Sequence, residues 1–314
     1  MGESPLNAYM ALFKGAFGSV TGLANTLTEA IPLIFSGLAV ALAFQCGLFN
    51  IGVEGQLYIG AFVSTIIALK LAVWPTLILL PVVIIGGMMA GMVWGGLPGL
   101  LKAKFGTHEV IVTVMLNYIA IFFTSYLVNY PFKAEGWVAQ TKVIPESAFL
   151  QKIIPRTHLT SGLYLAIGMA ILVYFFLWKT SSGFEIRAVG ENPHAAQSGG
   201  ISIAKNITLA MALSGGLASL AGIVQVLGIY HRFIDNFSPG YGFTGIAVAV
   251  LGRNHPIGVT LTALLFGALN SGALRMDRIT NISSNMVVLI QGLVILFVAA
   301  PEIIGSLLTG KKDV

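Results

Sequence analysis

Along the chain, long apolar runs alternate with short polar gaps. Runs near 20 residues occur at about 30–49, 53–72, 76–97, 108–130, 161–179, 206–228, 256–273 and 285–300. That is the length an α-helix needs to cross a bilayer core of ~30 Å. A further run, "GYGFTGIAVAVLG" over 240–252, is too brief for an ordinary span and is flanked by Pro239 and Pro256, so it predicts a short or broken helix. The expected fold is an all-α polytopic membrane protein with about nine transmembrane passages, including short or broken helices, in one domain over 1–314. Residues 1–29 fit less clearly. Their "FKGAFGSVTGLANTL" is glycine-rich and suggests a surface helix.

Three polar segments interrupt the pattern: 131–160, 180–205 and 229–239. With alternating passages, the first and third face one side of the membrane and the second faces the other. Basic residues should mark the cytoplasmic side. They divide eight against nine if 180–205 is inside, and eight against five once the long 131–160 loop is discounted. Charge therefore leans toward 180–205 inside without deciding it. With the C-terminus inside, nine passages leave the N-terminus outside. That is unusual for a start, "MGESPLNAYM", with no basic stretch followed by an apolar core. The expectation is that an initial span is missing, or that residues 1–29 behave differently from a surface helix.

Composition agrees with a membrane protein. Charged residues make up only 9%, against roughly 25% in soluble domains, and the mean hydropathy is +0.87. The net charge of +5 is spread over loops, which gives no support to nucleic-acid binding. The single cysteine, Cys46, lies in an apolar run and reads as a small buried hydrophobe. Enzyme signatures are missing. "GSLLTGKK" over 305–312 resembles a P-loop, but Lys312 stands where Ser or Thr should hold magnesium, and no strand precedes it. The five histidines lack metal-ligand spacing, and His108 beside Glu109 reads as an interfacial pair. No catalytic residue, metal or cofactor is expected.

Gly87, Gly91, Gly95 and Gly99 recur every four residues, as do Ser214, Ala218 and Gly222. Each set makes a smooth helix face, and packing within one bundle is favoured over a dimer face. Two regions read as interrupted helices. One holds Gly47, Gly52 and Gly55; the other runs from Pro239 to Gly258. Paired breaks hint at a transport path. The first break carries Asn50, Glu54 and Gln56. Burying Glu54 in lipid would cost ~2.5–3.5 kcal/mol on insertion scales, so it should face protein, water or the membrane surface. It could cap the helix starting near Val53, hold the broken backbone, or touch solute, with structural roles favoured. Asn117, Gln225, Asn270 and Gln45 are isolated amides within spans. Each alone reads as an interhelical hydrogen bond, but as a set they suit a weakly polar path.

The 180–205 segment is the most specific feature. Asn192 and Pro193 predict a helix start, and a short helix through "HAAQS" should stop at Gly199–Gly200. The spacing His194-Ala195-Ala196-x-x-x-Gly200 is similar to the E-A-A-x-x-x-G loop of ABC importer permeases. "RAVGENPHAAQSGGI" resembles that loop in the permease family serving branched-chain amino acids, simple sugars and nucleosides. "GLFNIGVEGQLYIGAF", "HEVIVTVMLNYIA" and "QGLVILFVAAPEI" resemble its sugar and nucleoside branch. The likeness runs from about residue 20 to 303. It departs at His194, where the family classically has an acid, and in lacking one initial helix.

The resemblance implies a permease in a bacterial or archaeal plasma membrane. Cytoplasmic ATPase subunits would power it, a second permease (a copy or a paralogue) would pair with it, and an extracytoplasmic binding protein would deliver the solute. The 180–205 loop would be the cytoplasmic coupling loop, with Arg187, Glu191, Asn192, Pro193, His194, Ala195, Ala196 and Gly200 meeting the ATPase, and 131–160 would be extracytoplasmic. Asn50, Glu54, Gln56, Asn117, Gln225 and Asn270 are the candidate path residues. A nucleoside is the first choice of solute and a simple sugar the second. The alternative is an ion-coupled secondary transporter with broken helices. It needs acids or histidines within the spans, and the sequence supplies only Glu54 and Glu109, both near span ends.

Overall fold

The computed structural model describes residues 5–280, 283 and 285–293. The P-loop-like stretch 305–312 and most of 291–303 lie outside the described residues. The helices are α1 (Pro5–Phe17), α2 (Val20–Gln45), α3 (Val53–Lys70), α4 (Thr76–Phe105), α5 (Glu109–Asn129), α6 (Gly162–Lys179), α7 (Ser181–Glu191), α8 (Pro193–Ser198), α9 (Ile203–Gln225), α10 (Tyr241–Leu251) and α11 (Pro256–Ile279). A further helical stretch covers 285–293. Among the described residues six helices are long and apolar enough to cross a membrane: α2, α4, α5, α6, α11, and α9 with its continuation to Tyr230. α3, the short α10 and the 285–293 stretch add shorter helices, so the expected count of about nine passages is loosely consistent with the described residues.

The chain's start differs from the expected surface helix. α1 ends at Phe17, and Ser19 caps α2 by accepting the Gly22 N–H at 3.0 Å. The first span therefore begins at Val20 rather than near residue 30. The polar residues that obscured this bond to nearby backbone. Thr26 Oγ1 donates to Ala16 O at 3.0 Å and Thr28 Oγ1 to Ala24 O at 2.8 Å, so their hydroxyls carry little cost inside a span. The longer helix takes in Glu29. This corrects the expectation that Glu54 and Glu109 are the only acids within spans.

α2 and α9 form the centre of the bundle, with 83% and 78% of their span windows buried, against 22% for α4 and for α5. The outward side chains of α4 and α5 are large and apolar, as Met89, Val93, Ile111 and Phe122 show. That arrangement suits lipid as solvent. The glycine stripe of α4 faces α9. Gly91 and Gly95 lie against Gly215 and Gly99 against Met211, while Gly87 meets Gly60 O and Ile223. The opposite stripe of α9 faces α2 and α3: Ser214 Oγ donates to Ala39 O at 2.6 Å, and Gly222 lies against Leu57 and Ala61. Both stripes are spent on packing inside the bundle, as favoured from the sequence.

The polar segments 131–160 and 231–239 pack together at one end. The Thr141, Ile144 and Asp235 N–H groups donate to Phe233 O, His231 O and Ala139 O, each at 2.9 Å. α9 reaches that end through a single π-helical turn, Val226–Tyr230, closed by His231 at φ 54°. At the other end α7 docks on the C-terminus of α2, where Gly190 sits against Gln45 O, and Gln45 Nε2 donates to Asn254 O at 3.0 Å.

Candidate functional site

α2 ends at Gln45 because Gly47 takes φ +71°, a backbone region that glycine enters without strain. The chain then runs through a non-helical break to Gly52. A broken backbone in a membrane bundle must have its polar groups satisfied by protein, and the side chains singled out in the sequence do this. Asn117 Nδ2 donates to Ile51 O at 2.7 Å, and Asn117 Oδ1 accepts the Gly55 N–H at 2.6 Å. One amide on α5 thus clamps both sides of the break. Asn50 Oδ1 accepts the Gly52 N–H at 2.9 Å, while Asn50 Nδ2 donates to Gln56 Oε1 at 3.0 Å and Ser214 Oγ at 2.8 Å. Gln56 Nε2 returns a bond to Asn50 Oδ1 at 3.2 Å. Asn50 and Gln56 are each only 1% exposed, and they are occupied with each other and with the backbone.

Glu54 reaches across to a second helix. Its Oε2 accepts the Gly242 N–H at 2.6 Å, in the first turn of α10. The Ser238 hydroxyl also bonds to the carboxyl, and Ser238 Oγ accepts the Gly240 and Tyr241 N–H groups, each at 3.2 Å. Gly242 has no side chain to keep the two first turns apart: a Cβ there would meet the Glu54 backbone. A helix N-terminus carries N–H groups without intrahelical partners and partial positive charge. The Glu54 carboxylate, in the first turn of α3, answers that of α10.

Of the six candidate path residues, Asn50, Glu54, Gln56 and Asn117 share this network. Gln225 stands apart, buried in the last residue of α9 before the π turn. Asn270, on α11, faces a separate cleft of about 350 Å³ together with Glu29, Tyr241, Thr244 and Gln291. There Glu29 hydrogen-bonds Asn270, whose Oδ1 accepts from Gln291 Nε2 at 3.0 Å. Sequence reading missed Glu29 and Ser238, and took Ser214 only as a packing position. Ser238 had a visible signal, standing two residues before Gly240 at the start of an apolar run, as a capping serine does.

On the α7 side, Asn192 Oδ1 accepts the Ala195 N–H at 3.0 Å and Pro193 fills the first position of α8. Glu191, Asn192, Pro193, His194 and Ala195 are exposed, whereas Ala196 is buried. The helix closes with the Ile201 N–H donating to Ala196 O and the Gly200 N–H to Gln197 O, both at 3.0 Å. Gly200 is at φ +82°. This is the Schellman arrangement, whose left-handed position favours glycine. Arg187 turns inward: its Nε donates to Leu177 O at 3.0 Å, and its guanidinium lies 5.5 Å from the Trp178 ring centre. It fixes α7 to the end of α6. Nearby, Lys102 Nζ and Glu109 Oε2 form an ion pair at 2.5 Å, joining α4 to α5.

Among the described residues no group of His, Cys, Asp and Glu could hold a metal ion. The arrangement is two broken helices clasped within a bundle, a largely apolar cleft with a few polar side chains beside them, and a capped surface helix at one end.

A family described as the branched-chain amino acid transport system permease component matches residues 22–299. A guanosine ABC transporter permease protein of Bacillus subtilis (strain 168) is 42% identical over 95% of this chain and 87% of its own length. A glucose ABC transporter permease protein of Haloferax volcanii is 36% identical over 95% of this chain and 81% of its own. A second guanosine ABC transporter permease protein of the same Bacillus subtilis strain is 33% identical over 78% of this chain and 79% of its own. No solved structure matches the chain.

Proposed function

The chain belongs to the family of branched-chain amino acid transport system permease components, and on that premise we propose that its solute is a nucleoside, with a simple sugar as the second reading. It is the multi-pass plasma-membrane permease subunit of an ABC importer and is not itself an enzyme. The observation that carries the choice of solute is the 42% identity to the guanosine relative across 95% of the chain, against 36% to the glucose relative.

In this reading 131–160 lies outside the cell and 180–205 inside. The exposed tip Glu191–Ala195, closed at Gly200, docks into a cytoplasmic ATPase subunit, while Arg187 and Ala196 hold the tip in place. An extracytoplasmic binding protein delivers the solute. The second permease is a paralogue rather than a copy; two permease proteins of one Bacillus subtilis strain, both named for guanosine, match this chain at 42% and 33%. The clasped breaks border the translocation path. Asn50, Gln56 and Asn117 hold its wall, and Glu54 joins the two half-helices. Asn270 meets solute from the adjoining cleft, and Gln225 lines the path where α9 becomes π-helical.

Reconstitution in proteoliposomes tests this. Uptake of radiolabelled guanosine should require ATP, the ATPase subunits and the binding protein together. Uptake by this chain alone, driven by a sodium or proton gradient, would overturn it in favour of ion coupling.

A further inference from the structure

Glu29 is the tenth residue of α2, about 14 Å along the helix from Val20. An ionisable side chain at that depth must face protein or a water-filled cavity, and such residues mark substrate pathways. Glu29 borders the cleft between α2, α10, α11 and the 285–293 helix. Its volume of about 350 Å³ falls within the range of small-molecule sites. Glu29, Thr244 and Asn270 each keep part of their surface open.

The hydrogen bonds around the carboxyl are directional. Gln291 Nε2 donates to Asn270 Oδ1, which leaves the Asn270 amide N–H groups for the Glu29 carboxyl. A carboxylate offers about four acceptor sites, and Asn270 cannot fill them all. No lysine or arginine lies among the described lining residues of the cleft. The remaining acceptor sites therefore suit a neutral solute that brings two adjacent donors. Tyr241 adds a ring wall, and Thr244 a hydroxyl that both donates and accepts.

We propose that this cleft is a solute-contact site in which the Glu29 carboxylate, oriented by Asn270 and Gln291, accepts hydrogen bonds from the vicinal hydroxyls of a sugar ring during passage. The proposal rests on the importer reading and deepens it. A ribose within a nucleoside and a free hexose offer the same pair of hydroxyls, and the choice between them is left to the experiment.

The test uses the full importer in proteoliposomes with saturating solute-loaded binding protein. Guanosine uptake is compared with uptake of 2′,3′-dideoxyguanosine, and glucose with a dideoxyglucose, for the wild type and E29Q. The binding protein is common to both, so any change in the hydroxyl-to-deoxy ratio belongs to this chain. Uptake of the hydroxylated solute should fall at least tenfold in E29Q, and the ratio should collapse to within about twofold of one. An unchanged ratio in E29Q overturns the site. Collapse in the glucose arm alone supports the site while overturning the nucleoside reading. A second measurement does not depend on E29Q folding. In a C46A background, T244C should react with a membrane-impermeant thiol reagent, and saturating solute should slow that reaction. Labelling that solute leaves unchanged, or no labelling, overturns the site.

Discussion

Glu54 and Gly242, 188 residues apart in sequence, are joined by a 2.6 Å hydrogen bond from the Gly242 N–H to the Glu54 carboxylate. The bond ties the start of α3 to the start of α10, each of which follows a break. A carboxylate that looks misplaced in a hydrophobic run is thus the junction between the chain's two interrupted regions. Replacing it with alanine leaves a buried N–H unpaired. Such losses cost ~1–3 kcal/mol, so E54A should lower the thermal midpoint of the detergent-solubilised protein by several degrees. E54Q keeps an acceptor oxygen and should recover most of the loss. Equal midpoints for wild type and E54A would remove the clasp.

Asn117 should behave as a clamp rather than a solute contact. N117A frees both Ile51 O and the Gly55 N–H, which the amide holds at 2.7 and 2.6 Å. Two buried backbone groups lose partners, for an expected ~2–6 kcal/mol at the usual cost of each. N117D keeps the acceptor for Gly55 but loses the donor to Ile51 O, and should fall below the wild type. Thermal unfolding of the three forms gives the ranking.

The contact of α4 with α9 leaves no room for a larger side chain at Gly91, where a Cβ would already collide with Ser219 and Gly215 O. Overpacking in a tight core is costly, and here the obstacle includes backbone. G91V should accumulate in the membrane at a small fraction of the wild-type level. G168V, at a position with nothing within 4 Å, should accumulate normally. Immunoblots of membrane fractions decide it, and equal levels would count against the packing assignment.

His231 allows a pH prediction on the 131–160 side. Its ring stacks on Phe149 with centroids 3.8 Å apart. Burial, with Lys152 and Arg232 adding to it, pulls its pKa below the ordinary value. The folded state therefore prefers the neutral ring. The resulting stability is fully present above the ordinary histidine pKa near ~6.5. It is lost as pH falls through the lowered folded-state value, because the unfolded chain takes up the proton first. The wild-type midpoint should drop between pH 7.5 and 5 by more than that of H231N, a residue that tolerates the left-handed backbone. Parallel curves would overturn the assignment.

How far this architecture was legible follows from the range of the interactions. The apolar runs and the Asn192-Pro193 start of α8 are local signals, and the structure repeats them. The breaks were visible as clustered glycines. What they bind was not, because Glu54 finds Gly242 on a distant helix and Asn50 finds Ser214 164 residues away. The start of α2 was misplaced for a related reason. Thr26 and Thr28 lower the hydropathy of 20–29, yet each hydroxyl is absorbed by a backbone carbonyl. Glu29 was passed over with them, although it borders a cleft that also holds Asn270, Thr244 and Gln291.

The surface helix α8 yields the sharpest functional prediction. Gly200 closes it at φ +82°, and nothing lies within 4 Å of where a Cβ would sit. A substitution there meets no clash and acts only through the backbone, where a left-handed L-residue costs ~1–2 kcal/mol. G200V should therefore insert and assemble normally but unwind the end of α8, shifting the exposed His194 and Ala195. ATP hydrolysis by the assembled importer would then continue with uptake reduced about tenfold or more. Asparagine enters the left-handed region more readily, so G200N should keep a larger share of coupled transport than G200V. If G200V and G200N transport equally well per ATP hydrolysed, then the Schellman closure has no part in coupling, and the exposed tip must be held in register by Ala196 and the α7 platform alone.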